Sequence, residues 1–130
     1  MRVRGIDHIQ LAMPRDGEDQ ARAFDEGVLG IPEVQKPPNL AKRGGCWFAT
    51  DSLRVRLGVE DDFLPARKAH AAIQVEDLPG LRRLLEAAGF RSKIDEPLEA
   101  MTESMWMILL ATELSCWNVF QTDHHEPRRR

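Results

Sequence analysis

The chain has 130 residues, of which 42% are hydrophobic and 30% are charged, and its formal net charge is −3. This length and composition are typical of one globular domain, and the slightly acidic balance argues against a nucleic-acid-binding protein. The longest apolar stretch, Trp106 to Ala111, is too short to cross a bilayer, and the first residues lack the apolar run of a signal peptide. We therefore expect a cytoplasmic protein that binds neither nucleic acid nor membranes.

Hydrophobic periodicity predicts elements that occur in the same order in each half of the chain. An alternating segment predicts a strand, apolar residues at helical spacing then predict a helix ending at a glycine, and further strands follow. In the first half, the strand, the helix and a strand pair fall at residues 6–11, 18–29, 45–50 and 53–60. In the second half, the strand, the helix and the next strand fall at residues 70–75, 78–88 and 90–94.

Two histidines, His8 and His70, occupy corresponding places on the polar side of the first strand of each half. A single strand histidine is usually a surface residue or a hydrogen-bonded core residue. Metal ligation becomes an equally good interpretation when two histidines are related by a repeat, since neutral imidazole is a common metal ligand.

Residues 5–90 contain, in order, the segments GIDHIQL, ARAFDEGVLGI, GGCWF, VRLGVE, KAHAAIQVEDL and LRRLLEAAGF. These segments resemble successive elements of the vicinal oxygen chelate superfamily, which includes glyoxalases, bleomycin-resistance proteins and dioxygenases. The resemblance implies an α+β fold in which two βαβββ modules form a curved mixed sheet around a cavity. It implies one domain, 1–130, with module one at about 1–60, module two at about 67–122 and a tail at 123–130.

The same resemblance implies a divalent metal, such as Mn, Fe, Ni or Zn, with His8 and His70 matching two of the family's ligands. Where glyoxalase I types carry a further ligand, this chain has Arg56 or its neighbours. Arginine cannot ligate a metal, although it can bind an anionic substrate. We therefore predict that Arg56, with Gln10 and Trp47, contributes to a substrate-binding surface.

The family's third ligand is usually a glutamate on the final strand, after a motif like DPFGN, and this chain has no such motif. Residues 101–122 contain only two charges, Glu103 and Glu113, and hold most of the chain's methionine and tryptophan. Met and Trp are each encoded by a single codon, so several residues of the reading frame that starts one base earlier can be deduced without ambiguity. They are an aspartate at the junction of residues 101 and 102, Val-Asp-Asp across residues 105–108 and a glutamate at the junction of residues 117 and 118. The other codons are compatible with the sequence GYDR(I/V)YVDDPFGNRIELLE in that frame.

We predict from this agreement that the last quarter is translated out of frame and that the metal site of this chain is weak or absent. The alternative is a divergent pair of apolar strands at residues 105–111 and 115–121. The family's glutamate would fall near Leu114 and Ser115, and Glu113 is its neighbour in sequence. A one-residue slip exchanges the two faces of a strand, so Glu113 is a poor replacement.

Two function classes remain open. The first is metal-dependent chemistry on a small molecule with vicinal oxygens, as in a lyase, thiol transferase or dioxygenase. The second is a metal-free homodimer that binds a small molecule, such as a drug, as bleomycin-resistance proteins do.

Overall fold

A computed structural model of the chain describes residues 1–95, 106–109 and 116–120. The chain divides into two compact units, Met1–Pro65 and Ala66–Arg130. Each unit combines helix with a four-stranded sheet, so the predicted α+β class is confirmed. None of the helices in the described residues is long and apolar enough to cross a membrane.

The first unit contains four strands and two short helices. They are β1 (Ile9–Met13), α1 (Glu18–Ala21), which continues as a π-helical segment (Arg22–Val28), β2 (Glu33–Val34), α2 (Pro38–Ala41), β3 (Cys46–Ala49) and β4 (Arg54–Val59). The strand order is β1-β4-β3-β2, with β1 parallel to β4 and the other pairs antiparallel. Gly30 ends the helical region as predicted, because its φ of 69° suits glycine and its N–H donates to the Glu26 carbonyl at 3.2 Å.

One face of the first sheet carries the apolar core. Its buried residues are Met13, Ala21, Ile31, Cys46, Phe48, Val55 and Leu57. Phe48 and Val55 are paired across β3 and β4 and are each 1% exposed, which places them at the centre of this layer. Since side chains alternate along a strand, burial of this set turns the intervening residues to the opposite face. The core therefore determines which side chains can form a site.

The strand β2 and the helix α2 lie between the elements predicted at residues 18–29 and 45–50, in a stretch that contains Pro32, Pro37 and Pro38. Val34 of β2 pairs with Trp47, and Arg22 donates to the Glu33 carboxylate at 2.8 Å. These partners are more than ten residues away in sequence, so hydrophobic periodicity cannot reveal them. Pro38 fits the first turn of α2, where the missing N–H would have no helical partner.

The second unit contains β5 (Ala71–Gln74), α3 (Leu78–Ala87), β6 (Arg91–Asp95), β7 (Trp106–Leu109) and β8 (Cys116–Phe120). The side chain of Asp77 accepts a hydrogen bond from the Gly80 N–H at 2.9 Å and thereby caps α3. Gly89 follows the helix with a φ of 80°, as expected of the glycine at its end.

The strand pairing of the second unit differs from that of the first. Its order is β5-β7-β8-β6, and β5 pairs antiparallel with β7. In the first unit, the fourth strand, β4, pairs parallel with the first strand, β1. In the second unit, the fourth strand, β8, instead pairs parallel with β6. The repeated order of elements therefore does not extend to their hydrogen bonding.

Candidate functional site

The face of the first sheet opposite the core carries a row of polar and aromatic side chains. Gln10 of β1 pairs with Arg56 of β4, and Arg56 pairs with Trp47 of β3. Residues paired across a sheet project to the same side, so these three side chains are neighbours. His8 lies immediately before β1, and its Nε2 atom is 3.5 Å from Nη1 of Arg56. We call His8, Gln10, Trp47 and Arg56 the Arg56 cluster.

The guanidinium group of Arg56 stacks on the indole ring of Trp47. The Arg56 Cζ atom lies 3.9 Å from the ring centroid, within the range of a cation–π interaction. A contact of this kind contributes about 0.5–2 kcal/mol, depending on how far it is removed from water. Trp47 therefore holds the Arg56 guanidinium over the sheet in a defined orientation.

The side chain of Gln10 lies across Gly58 of β4. A Cβ atom added at Gly58 would be 2.7 Å from Nε2 of Gln10, closer than real Cβ contacts allow. Glycine at this position therefore leaves the space that the Gln10 amide occupies beside Arg56. The amide presents both a donor and an acceptor, whereas Arg56 presents donors alone.

His8 is held from its other ring nitrogen by a carboxylate. Its Nδ1 atom is 2.9 Å from Oδ2 of Asp7, and the second oxygen of Asp7 accepts from Nη1 of Arg54 at 2.9 Å. The hydrogen bond with His8, followed by the charge of Arg54, lowers the pKa of the Asp7 carboxyl. An imidazole that donates from Nδ1 to this carboxylate turns the lone pair of Nε2 toward Arg56.

The structure brings together the four residues of the first unit that the sequence singles out. The sequence analysis missed Asp7 and Arg54, although each has a recognisable signal. Asp7 is next to His8 in sequence. Arg54 is two residues before Arg56, and residues two apart in a strand project to the same face. His70, expected on a strand, directly precedes β5 and is exposed, with Nδ1 at 2.7 Å from the Lys68 carbonyl oxygen.

The described residues do not fit a family-type metal site. Nowhere in 1–95, 106–109 or 116–120 do three His, Cys, Asp or Glu side chains come together as a group that could hold a metal ion. At His8, the atom that would bind the metal faces the Arg56 guanidinium, and like charges so close repel. Glu113, the neighbour of the expected glutamate position, lies outside the described residues.

The chain is similar over most of its length to a protein of known structure, assigned to the glyoxalase family, from Bacillus anthracis. The two chains share 33% sequence identity, the match covers 92% of this chain and 95% of the other, and the TM-score is 0.73. The chain belongs to the glyoxalase family. The resemblance seen in residues 5–90 to the glyoxalase and vicinal oxygen chelate fold is thereby confirmed. This glyoxalase-family chain matches no protein-family model and no curated protein.

Proposed function

We propose that this glyoxalase-family protein binds a small organic anion at the Arg56 cluster without a metal ion. The observation that carries the proposal is the position of the Arg56 guanidinium, stacked on Trp47 and directed at Nε2 of His8. The ion pairs of the described residues involve Arg15, Arg22 and Arg54 but not Arg56. A half-buried guanidinium that forms no ion pair among these residues is well suited to a ligand carboxylate.

Each member of the cluster has a separate part in this proposal. Arg56 has five N–H donors and directs one toward His8, which leaves others for a ligand carboxylate. Trp47 and His8 restrain the guanidinium, so less conformational freedom is lost when the ligand binds. The Gln10 amide, next to Arg56, can bond a second ligand oxygen, as expected for a molecule with vicinal oxygens.

Pyruvate tests this proposal, because it is a small carboxylate with a vicinal carbonyl oxygen, and its uncharged methyl ester is a matched control. In calorimetric titrations with EDTA present, we expect pyruvate to bind and methyl pyruvate to bind at least about tenfold more weakly, as loss of a charged hydrogen bond requires. Arg56→Gln should remove pyruvate binding, whereas Arg43→Gln, at an exposed arginine of the same unit outside the Arg56 cluster, should retain it. Equal affinity for acid and ester would contradict the proposal.

A metal-dependent lyase, thiol transferase or dioxygenase is the second candidate. It is favoured by the contact between Nδ1 of His8 and the Asp7 carboxylate, which is the support commonly given to a metal-bound imidazole. In this alternative His8 and His70 act as ligands of Mn, Fe, Ni or Zn, and the site lacks the family's glutamate. The homodimer that the resemblance implies stays a prediction.

We also propose that the region after residue 99 is out of frame and that the chain descends from two βαβββ modules. The codon pattern that restores DPFGN and a glutamate supports the first part, and the repeated order of elements supports the second. The difference in pairing between β5 and β1 is consistent with both parts of this proposal, because β7 and β8 lie in the region that we propose to be out of frame. On this interpretation, only the in-frame chain would carry the family's third metal ligand.

A further inference from the structure

A cleft on the second unit lies beside α3 and the start of β6. Its volume is about 630 Å³, and it is lined by Pro79, Arg82, Arg83, Glu86, Phe90 and Arg91. We call it the α3 cleft. Clefts of this size are in the range that holds small organic molecules. Among the described residues, the lining comes from one continuous segment of the second unit, residues 79–91.

Three arginines converge on the α3 cleft. Helical spacing places Arg82, Arg83 and Glu86 on the same side of α3, and Arg91 joins them from β6. The described lining residues include three guanidinium groups and one carboxylate, which gives them a net charge of +2. Arg82 and Glu86 are four residues apart, yet no ion pair forms between them. The positive charge of the cleft is therefore not neutralised by its own carboxylate.

The Nε atom of Arg82 is buried and has no hydrogen-bond acceptor within the part of the chain that the structure describes. A buried N–H without an acceptor is unfavourable, and native proteins usually provide one from protein, water or ligand. Nε itself is shielded from solvent, so an anion in the α3 cleft reaches it only if the Arg82 side chain shifts when the anion binds. The missing acceptor favours such a shift, because a buried N–H gains stability when it is hydrogen-bonded.

We infer that the α3 cleft binds the dianionic phosphate group of a small phosphate monoester. At pH 7 such a group carries a charge of about −1.5 to −2, which matches the lining, and its oxygens suit the forked donors of arginine. Pro79 and Phe90 provide the apolar part of the lining, next to which the organic group of the ester can lie. This site lies in the second unit and is separate in sequence from the Arg56 cluster.

The test follows the Arg82 Nε–Hε resonance of ¹⁵N-labelled protein, identified by its loss in Arg82→Gln, during titration with inorganic phosphate. We expect a saturable shift that sodium chloride at equal ionic strength does not produce, and the same shift in the Arg56→Gln protein. Phenyl phosphate, the ester probe, should bind at least as tightly as inorganic phosphate. Calorimetry should show that Arg83→Gln and Arg91→Gln each weaken phosphate binding about tenfold or more, because each removes a charge-assisted bond.

Arg67→Gln is the matched control, since Arg67 is an exposed arginine of the same unit that does not line the cleft. It should change phosphate affinity by less than about twofold, as expected for an isolated surface charge. The inference is overturned if phosphate shifts the Arg82 signal no more than chloride does, if Arg67→Gln weakens binding as much as Arg83→Gln, or if phenyl phosphate fails to bind. The wild-type titration gives this answer even if a variant does not fold.

Discussion

Arg56 lies between Trp47 and His8, and its guanidinium approaches the ring nitrogen through which an imidazole in this orientation would bind a metal. Sequence reasoning identified Arg56 as a group that cannot ligate metal and can bind an anion, and placed Gln10 and Trp47 with it. Arg56 was singled out by the resemblance, at the position of a family ligand, and the alternation of β1, β3 and β4 explains why the structure brings Gln10 and Trp47 to the same face. The contact of Arg56 with His8 depends on side-chain conformation, which alternation does not specify.

Asp25, in the π-helical segment, is a residue whose importance no sequence pattern revealed. It is 4% exposed, and burial raises its pKa from 3.8 to about 7. The folded protein therefore holds a proton that the unfolded chain releases, so this contribution to stability is complete below pH 3.8 and is lost as the pH rises through about 7.

Asp25→Asn removes this titration while keeping the size of the side chain. We expect the variant to be more stable than the wild type at pH 8, by up to about 4 kcal/mol for a shift of roughly three pKa units, and to lose the fall in stability between pH 5 and pH 8. Urea denaturation at both pH values measures the free energies of unfolding. Asp51→Asn, at an exposed aspartate, is the control and should follow the wild type; an unchanged pH dependence in Asp25→Asn would refute this account.

At the level of elements, the sequence predicts most of the fold but not its hydrogen bonding. Apolar periodicity found β1, the α1 region, β3, β4, β5, α3 and β6, and residues 105–111 and 115–121 contain β7 and β8. Strand order cannot be predicted this way, because pairing depends on partners distant in sequence. His8 and His70 illustrate the limit: each was predicted on a strand, and each directly precedes one.

Repair of the reading frame after residue 99 should change the pairing of β5. The restored ending supplies the family's own last two strands, so we expect β5 to pair parallel with the last strand, as β1 pairs with β4 in the first unit. Crystal structures of the original and repaired chains would measure this directly. An antiparallel β5–β7 pair in the repaired chain would contradict the frameshift interpretation.

The molecule as a whole belongs to a family in which metal chemistry is common, yet the described part of this chain offers an arginine-centred site in place of a closed ligand set. The Arg56 cluster lies on one sheet of one unit and contains all the groups that the proposed anion binding uses. The proposed anion binding therefore does not depend on the residues after 99. The metal-dependent alternative does depend on them, because the proposed in-frame ending would carry the family's glutamate ligand.

Pyruvate affinity with and without metal tests the central claim most directly. The protein would be dialysed against EDTA or against Mn, Fe, Ni and Zn in turn, and its metal content and pyruvate dissociation constant measured for the wild type, His70→Ala and Arg56→Gln. Metal-free binding predicts the same affinity in every preparation, unchanged in His70→Ala and lost in Arg56→Gln. Retention of a metal ion with binding that appears only in its presence, and that His70→Ala abolishes, would contradict it.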